Sequence, residues 1–140
     1  MISIQDPEDL LSIALRNIFS SRIEEKEFYT NVHNWNKKVV LDIKSFYPLT
    51  VIFEGDEIKF ERGEVKDADI ILRLSLQTLL DIANGREDPL SAAGKGIIKL
   101  EGLGNDSEKL VKFYNIFLVS MQKAANNPNI NYYELNKKTK

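Results

Sequence analysis

The chain has 140 residues, 43% hydrophobic and 29% charged, a formal charge of −2 and no cysteine. A chain of this size buries roughly two thirds of its unfolded surface as one domain, and the composition reads as globular, neither disordered nor membrane-embedded. Without cysteine there are no disulfides, thiolate nucleophiles or cysteine zinc sites, and the near-neutral charge leaves no footprint for a nucleic-acid backbone.

No apolar run is long enough to span a bilayer, and the first residues lack the basic-then-apolar start of a secretory leader. A cytoplasmic location is the expectation. Asp6 with Pro7 reads as a helix start, followed by Leu10, Leu11, Ala14, Leu15, Ile18 and Phe19 at three- and four-residue steps. Ser21 and Glu24 form a second capping box, which predicts a further helical segment toward Val32. Val39, Leu41 and Ile43 alternate with Val40, Asp42 and Lys44, and Leu49, Val51 and Phe53 alternate with Thr50, Ile52 and Glu54; both runs predict strands with one buried face. Gly55 and Asp56, before Ile58 and Phe60, mark a hairpin turn and so antiparallel neighbours.

Residues 69–102 carry the densest signal. Ile70, Leu72 and Leu74 alternate with Ile71 and Arg73 as in a strand. Ser75 then caps a helix with Leu76, Leu79, Leu80, Ile82 and Ala83 at helical spacing, and Asn84 and Gly85 supply its stop. Asp88 and Pro89 open a short helix that Gly96 ends, and Ile97 to Glu101 reads as a further strand. The segment PLSAAGKGIIKLEG fits the pattern P-x-x-A-x-x-x-G-x-[IL]-x-[IL]-x-G through Pro89, Ala92, Gly96, Ile98, Leu100 and Gly102, with Ala68, Asp69 and Gly85 at the matching upstream places. This order and spacing resembles the sterol carrier protein type 2 family. The resemblance implies an apolar tunnel for a sterol, fatty acyl, isoprenoid or phospholipid ligand and a non-catalytic role. Peroxisomal members of that family end in a small residue, a basic residue and Leu, whereas this sequence ends in Lys138, Thr139 and Lys140.

From Ser107 the last helix carries Leu110, Val111, Phe113, Tyr114, Ile116, Phe117, Leu118, Val119 and Met121. They cover more than half of its circumference, so it is either sandwiched inside the protein or faces an apolar cavity. Residues 126–140 lose periodicity and end in lysines, which predicts a loosely ordered tail. The candidate cavity residues are Leu76, Leu79, Leu80, Ile82 and Ala83 on the middle helix facing Phe113, Phe117 and Met121 on the last one, each with simple core packing as its alternative. Arg73, Lys95 and Lys99 are candidate partners for a carboxylate or phosphate head group, or else solvated charges.

Catalytic readings are weak on chemical grounds. His33 is the single histidine, so a metal site or a nucleophile–base pair would hang on one residue. Ser91 lacks a glycine elbow, Gly94-Lys95-Gly96 has Pro89 and Gly96 where a phosphate loop needs Gly and Ser or Thr, and Asp67 and Asp69 fit strand-entry turn chemistry better than a cation site. Trp35, between two asparagines, reads as a partly buried loop aromatic.

The sequence thus predicts one α+β lipid-binding domain over 1–140, a mainly antiparallel sheet of about five strands covered on one face by helices that enclose an apolar cavity. No cofactor, metal or nucleic acid is implied. Transient membrane contact fits a carrier. The alternative is an accessory subunit that presents a lipid or quinone intermediate to partner enzymes.

Overall fold

The computed structural model describes residues 1–126. In chain order the elements are β1 (Ser3–Ile4), α1 (Leu10–Ser20), α2 (Lys26–Val32), β2 (Lys38–Lys44), β3 (Pro48–Glu54), β4 (Glu57–Arg62), β5 (Ile70–Ser75), α3 (Leu76–Ala83), α4 (Pro89–Gly94), β6 (Lys99–Glu101) and α5 (Ser107–Phe113). A π-helical stretch, Tyr114–Val119, then continues into α6 (Ser120–Ala125). The tail expected at the C-terminus lies, from residue 127, outside the described residues.

The sheet has six strands in the order β1-β4-β3-β2-β5-β6. It is mixed rather than a five-stranded, mainly antiparallel sheet: β2–β3, β3–β4 and β5–β6 are antiparallel, whereas β1–β4 and β2–β5 are parallel. Two causes separate it from the sequence expectation. Strand β1 is two residues long, too short to show a period. The chain also leaves β4 and crosses β3 and β2 before entering β5, so β5 lies parallel to β2, with Leu41 opposite Leu72.

That crossing, residues 63–69, covers the sheet face turned away from the helices. Thr50 Oγ1 donates to the Gly63 carbonyl at 2.7 Å, and Lys38 N–H donates to Asp69 Oδ2 at 2.8 Å. Val40 and Thr50, register partners on this outer face, are therefore as fully buried as the core residues beside them. An alternating strand pattern predicts only one buried face, and the crossover supplies the second.

The inner face carries Val39, Leu41, Leu49, Val51, Phe53, Ile70 and Leu72 into a core shared with the helices. Helix α1 starts three residues later than expected. Its cap is Asp9, which accepts from Ser12 N–H at 2.9 Å and from the Tyr47 hydroxyl at 2.5 Å. Pairing of β1 with β4, extended by Gln5 N–H donating to the Ile58 carbonyl, holds Asp6 and Pro7 out of the helix. Helix α2 likewise begins after Glu25, without a side-chain cap, so Ser21 and Glu24 form no capping box.

The core behind the sheet is strongly aromatic. Phe117 meets Phe19 and Phe53 edge-on at 5.6 and 5.8 Å and lies beside Phe113 at 5.3 Å. Trp35, 7% exposed, packs edge-on against Phe53, deeper than a loop rim. Edge-to-face packing of this kind stabilises beyond the area buried and fixes ring positions.

A candidate apolar ligand site

The last helix is sandwiched, and one of its faces also borders a small cavity. Leu72 and Leu100 come from the sheet, Ile82 from α3, and Pro89, Leu90 and Ala93 from α4, with Ile98 just before β6. Across the cavity stand Leu110 and Phe113 of α5, and Tyr114 and Leu118 of the π-helical stretch. The surface exposed to it is wholly apolar, and its free volume is about 20 Å³. One water would fit such a space, but with no polar partner it has no reason to stay.

Local sequence explains this placement. Ser75 Oγ accepts from Thr78 N–H and starts α3 directly off β5. Asp88 accepts from Ser91 N–H and starts α4, with Pro89 at its first position. Between β6 and the start of β5, Gly102 has φ of +91°, and a Cβ there would lie 2.1 Å from the Asp69 carbonyl oxygen. Only glycine lets the two backbones approach this closely.

The eight predicted cavity residues separate. Ile82 and Phe113 line the pocket. Phe117 and Met121 are buried in the core behind it, Ala83 is buried on α3, and Leu79 packs against the core from α3. Leu76 and Leu80 stand half exposed on the outer side of α3. Helical spacing placed these residues on one helix, but only packing decides which side of a short helix turns inward. The lining residues missed at the sequence level, Leu90, Leu100, Leu110 and Leu118 among them, come from four separate elements and share no local period.

The three head-group candidates also differ. Arg73 lies on the outer sheet face, where its guanidinium donates to Asp42 at 2.6 Å, to Glu64 at 2.9 Å from each of its two Nη atoms, and to Glu101 at 3.0 Å. These carboxylates push its pKa up, the Glu64 bonds most. Lys95 pairs with Glu87 at 3.6 Å, and Lys99 is an exposed residue of β6 opposite Arg73.

Elsewhere, Arg22 is 1% exposed and was not singled out by its sequence context. Its guanidinium donates to the Asn115 carbonyl at 2.8 Å and Ser120 Oγ at 2.9 Å, pairs with Glu25 at 3.1 Å and lies 5.2 Å from the Phe28 ring centre. A larger groove of about 490 Å³, lined by Arg22, Glu25, Gln122 and Lys123 among others, is half polar and lacks the apolar walls a hydrocarbon needs. His33 Nδ1 sits 2.6 Å from Asp56 Oδ1 and 3.1 Å from the Tyr29 hydroxyl, tying α2 to the β3–β4 turn. Asp67 accepts from Lys38 Nζ at 2.6 Å. Among the described residues no group of three or more His, Asp or Glu is arranged to hold a metal, and no helix is long and apolar enough to cross a membrane.

The sequence profile of the SCP-2 sterol transfer family matches residues 15–118. The chain belongs to this family. Among solved structures, a UbiJ-SCP2 ubiquinone synthesis protein superposes with a TM-score of 0.60 at 16% identity, covering 89% of this chain and 99% of its own. A sterol carrier protein 2 crystal structure superposes with a TM-score of 0.57 at 18% identity, covering 84% of this chain and 98% of the other. The sterol carrier protein domain 2 of Helicoverpa armigera reaches 0.60 at 14% identity, with 91% and 98% covered. Comparison with curated protein sequences gives no match. At these identities the structural likeness establishes the α+β fold, while membership of the SCP-2 family points to lipid binding or transfer.

Proposed function

We propose that this protein binds one lipid molecule by its hydrocarbon chain in the pocket between α4, the β5–β6 edge and the last helix, and carries it without catalysis. The observation that supports this reading is a wholly apolar pocket at the edge of an otherwise close-packed core. Burying a chain releases about 0.8 kcal/mol per methylene, so ten carbons supply roughly 8 kcal/mol before the costs of association. No charged partner is required, which agrees with the engagement of Arg73 by three carboxylates. Ile82 and Phe113 contact the ligand, and Leu79, Ala83, Phe117 and Met121 support the wall behind them. Lys95, just after α4 and paired with Glu87, is the cation offered to a head group, whereas Lys99 shares the outer sheet face with Arg73. The site of action is the cytoplasm.

Lipid pockets commonly measure about 300 Å³ or more, so the present cavity has to expand around its ligand. Helix α4 is the wall best suited to move. It is six residues long and flanked by Gly85 and Gly96, both at positive φ. Leu90 on it is 62% exposed although it lines the pocket, which marks the mouth.

A second reading has one observation in its favour. Leu76 and Leu80 on α3, Leu10 and Ile13 on α1, and Phe46 before β3 are large apolar side chains left exposed, as a surface for a partner enzyme would be. The similarity to a ubiquinone synthesis protein agrees with an accessory role in presenting an isoprenoid or quinone.

Native mass spectrometry of the purified protein, followed by organic extraction, tests the carrier reading. A stoichiometric lipid, lost in Leu90→Asp with an unchanged melting temperature, is the expected result. Absence of any lipid, together with indifference to added fatty acids and sterols, would remove it and leave the partner reading.

A further inference from the structure

Exposure among the lining residues runs from 62% at Leu90 to 5% or less at Leu72, Ile82, Ile98, Phe113 and Leu118, and of this buried wall Phe113 is the aromatic member. Behind Phe113 lies Phe117, with ring centres 5.3 Å apart. Phe117 is itself fully buried and held edge-on by Phe19 from α1 and Phe53 from β3. A ring locked from two sides yields little, because close-packed interiors transmit strain rather than absorb it. The side walls behave differently. Leu72 and Leu100 are register partners on paired strands, so shortening either side chain widens the pocket but meets sheet backbone at once.

We propose that Phe113 is the specificity-determining residue of this site: its ring, backed by Phe117, stops the advancing end of the ligand and sets the length of acyl chain accepted. The inference rests on the lipid-binding reading of the same pocket and adds the ligand class, a single unbranched chain of limited length whose remainder lies outside the α4 mouth. Removing the ring opens depth along the chain axis, whereas trimming a side wall opens only width.

The experiment is displacement of a fluorescent fatty acid by a series from octanoic to eicosanoic acid, on wild type, Phe113→Ala, Phe113→Leu and Leu100→Ala. In the wild type, affinity rises with chain length and then levels off. In Phe113→Ala the plateau moves to chains longer by roughly three methylenes, the depth vacated by the ring, and the longest acids bind about tenfold tighter or more. Phe113→Leu, a milder change that guards against loss of folding, shifts it less in the same direction. Leu100→Ala changes affinity at all lengths and leaves the plateau in place. An unchanged plateau in the folded Phe113 variants overturns the proposal. If no folded variant binds any acid of the series but the purified protein carries a stoichiometric lipid, the length proposal falls while the carrier reading stands; if no acid binds and no lipid is carried, both fall.

Discussion

Arg73 and Glu64 form a two-pronged ion pair, Nη1 to Oε1 and Nη2 to Oε2, each at 2.9 Å. Glu64 belongs to the crossover between β4 and β5, and Arg73 also holds Asp42 of β2 and Glu101 of β6. One guanidinium thereby fastens the crossover to two strands and brings the edge strand in. Arg73→Ala is expected to lower stability by about 1–2 kcal/mol, the range for charge-assisted, partly exposed bonds. Arg73→Lys recovers only part of this, because an ammonium cannot make the forked contact. Urea denaturation checks both. Lipid affinity is expected to stay unchanged in either variant, and a loss greater than about fivefold would restore Arg73 as a head-group contact.

Asp9, Glu25, Glu64 and Asp67 are all held below their usual range in the folded state, and two of them give a test of acid sensitivity. The Arg73 bond holds Glu64 below the usual carboxylate range. Burial pushes Asp9 up, but hydrogen bonds from Tyr47 and Ser12 more than offset it and leave Asp9 lowered as well. A carboxyl lowered in the folded state contributes fully above its unfolded value and loses that contribution as pH falls through the folded one. The melting temperature is therefore expected to be flat from neutrality to about pH 5 and to fall below about pH 4. Glu64→Gln and Asp9→Asn each make the acid limb shallower. An acid limb equally steep in both variants assigns it to other groups.

Arg22 offers a test of a buried cation. Arg22→Ala leaves the Asn115 carbonyl and Ser120 Oγ without their donor and removes the contact with Phe28, so a loss of about 3 kcal/mol is expected. Arg22→Met restores volume but no donor and recovers only the packing share. Thermal unfolding of the two separates the contributions. Equal destabilisation would mean that packing contributes nothing measurable at this position.

Gly102→Ala is expected to cost about 3 kcal/mol or more, since the added Cβ meets a backbone oxygen and the residue is held at positive φ. Gly85→Ala, where a Cβ meets nothing within 4 Å, bears the conformational cost alone, about 1 kcal/mol. The contrast, read by thermal or chemical unfolding, distinguishes close approach from backbone conformation. Similar losses at the two positions would contradict the contact at Asp69.

What was legible in the sequence was whatever repeats locally. The alternation at 70–74, the cap at Ser75, the Asp88-Pro89 start and the Gly55-Asp56 turn appear where their residue chemistry demands. The glycine of the family pattern at position 102 has its physical cause in the Asp69 carbonyl. Non-local features stayed hidden: β1 is shorter than one period, the burial of Val40 and Thr50 needs the crossover, and the burial of Arg22 needs, besides Glu25, acceptors roughly a hundred positions away. The pocket is non-local too. Of the eight candidates, Ile82 and Phe113 reach it, and Arg73 faces the opposite side of the sheet among carboxylates that no spacing rule connects to it.

The cavity as it stands holds about 20 Å³, so uptake of a chain requires a wall to yield, and the walls are unequal. Leu72 and Leu100 are fixed by strand pairing, and Phe113 by the aromatic stack behind it. Helix α4 is held at its end by Lys95 N–H donating to the Ser91 carbonyl at 3.0 Å and Ile97 N–H donating to the Ala92 carbonyl at 2.9 Å. Few bonds to the rest of the fold make a segment open locally at a free energy below that of global unfolding. In hydrogen exchange, the amides of Lys95 and Ile97 are expected to exchange together, at least about a hundredfold faster than those of Val40 and Leu72 on the central strands. Added fatty acid should slow them selectively, because a bound chain stabilises the closed form by mass action. If instead these two amides exchange only with the central strands, α4 does not open on its own, and the entry of a ligand has to be sought at another wall.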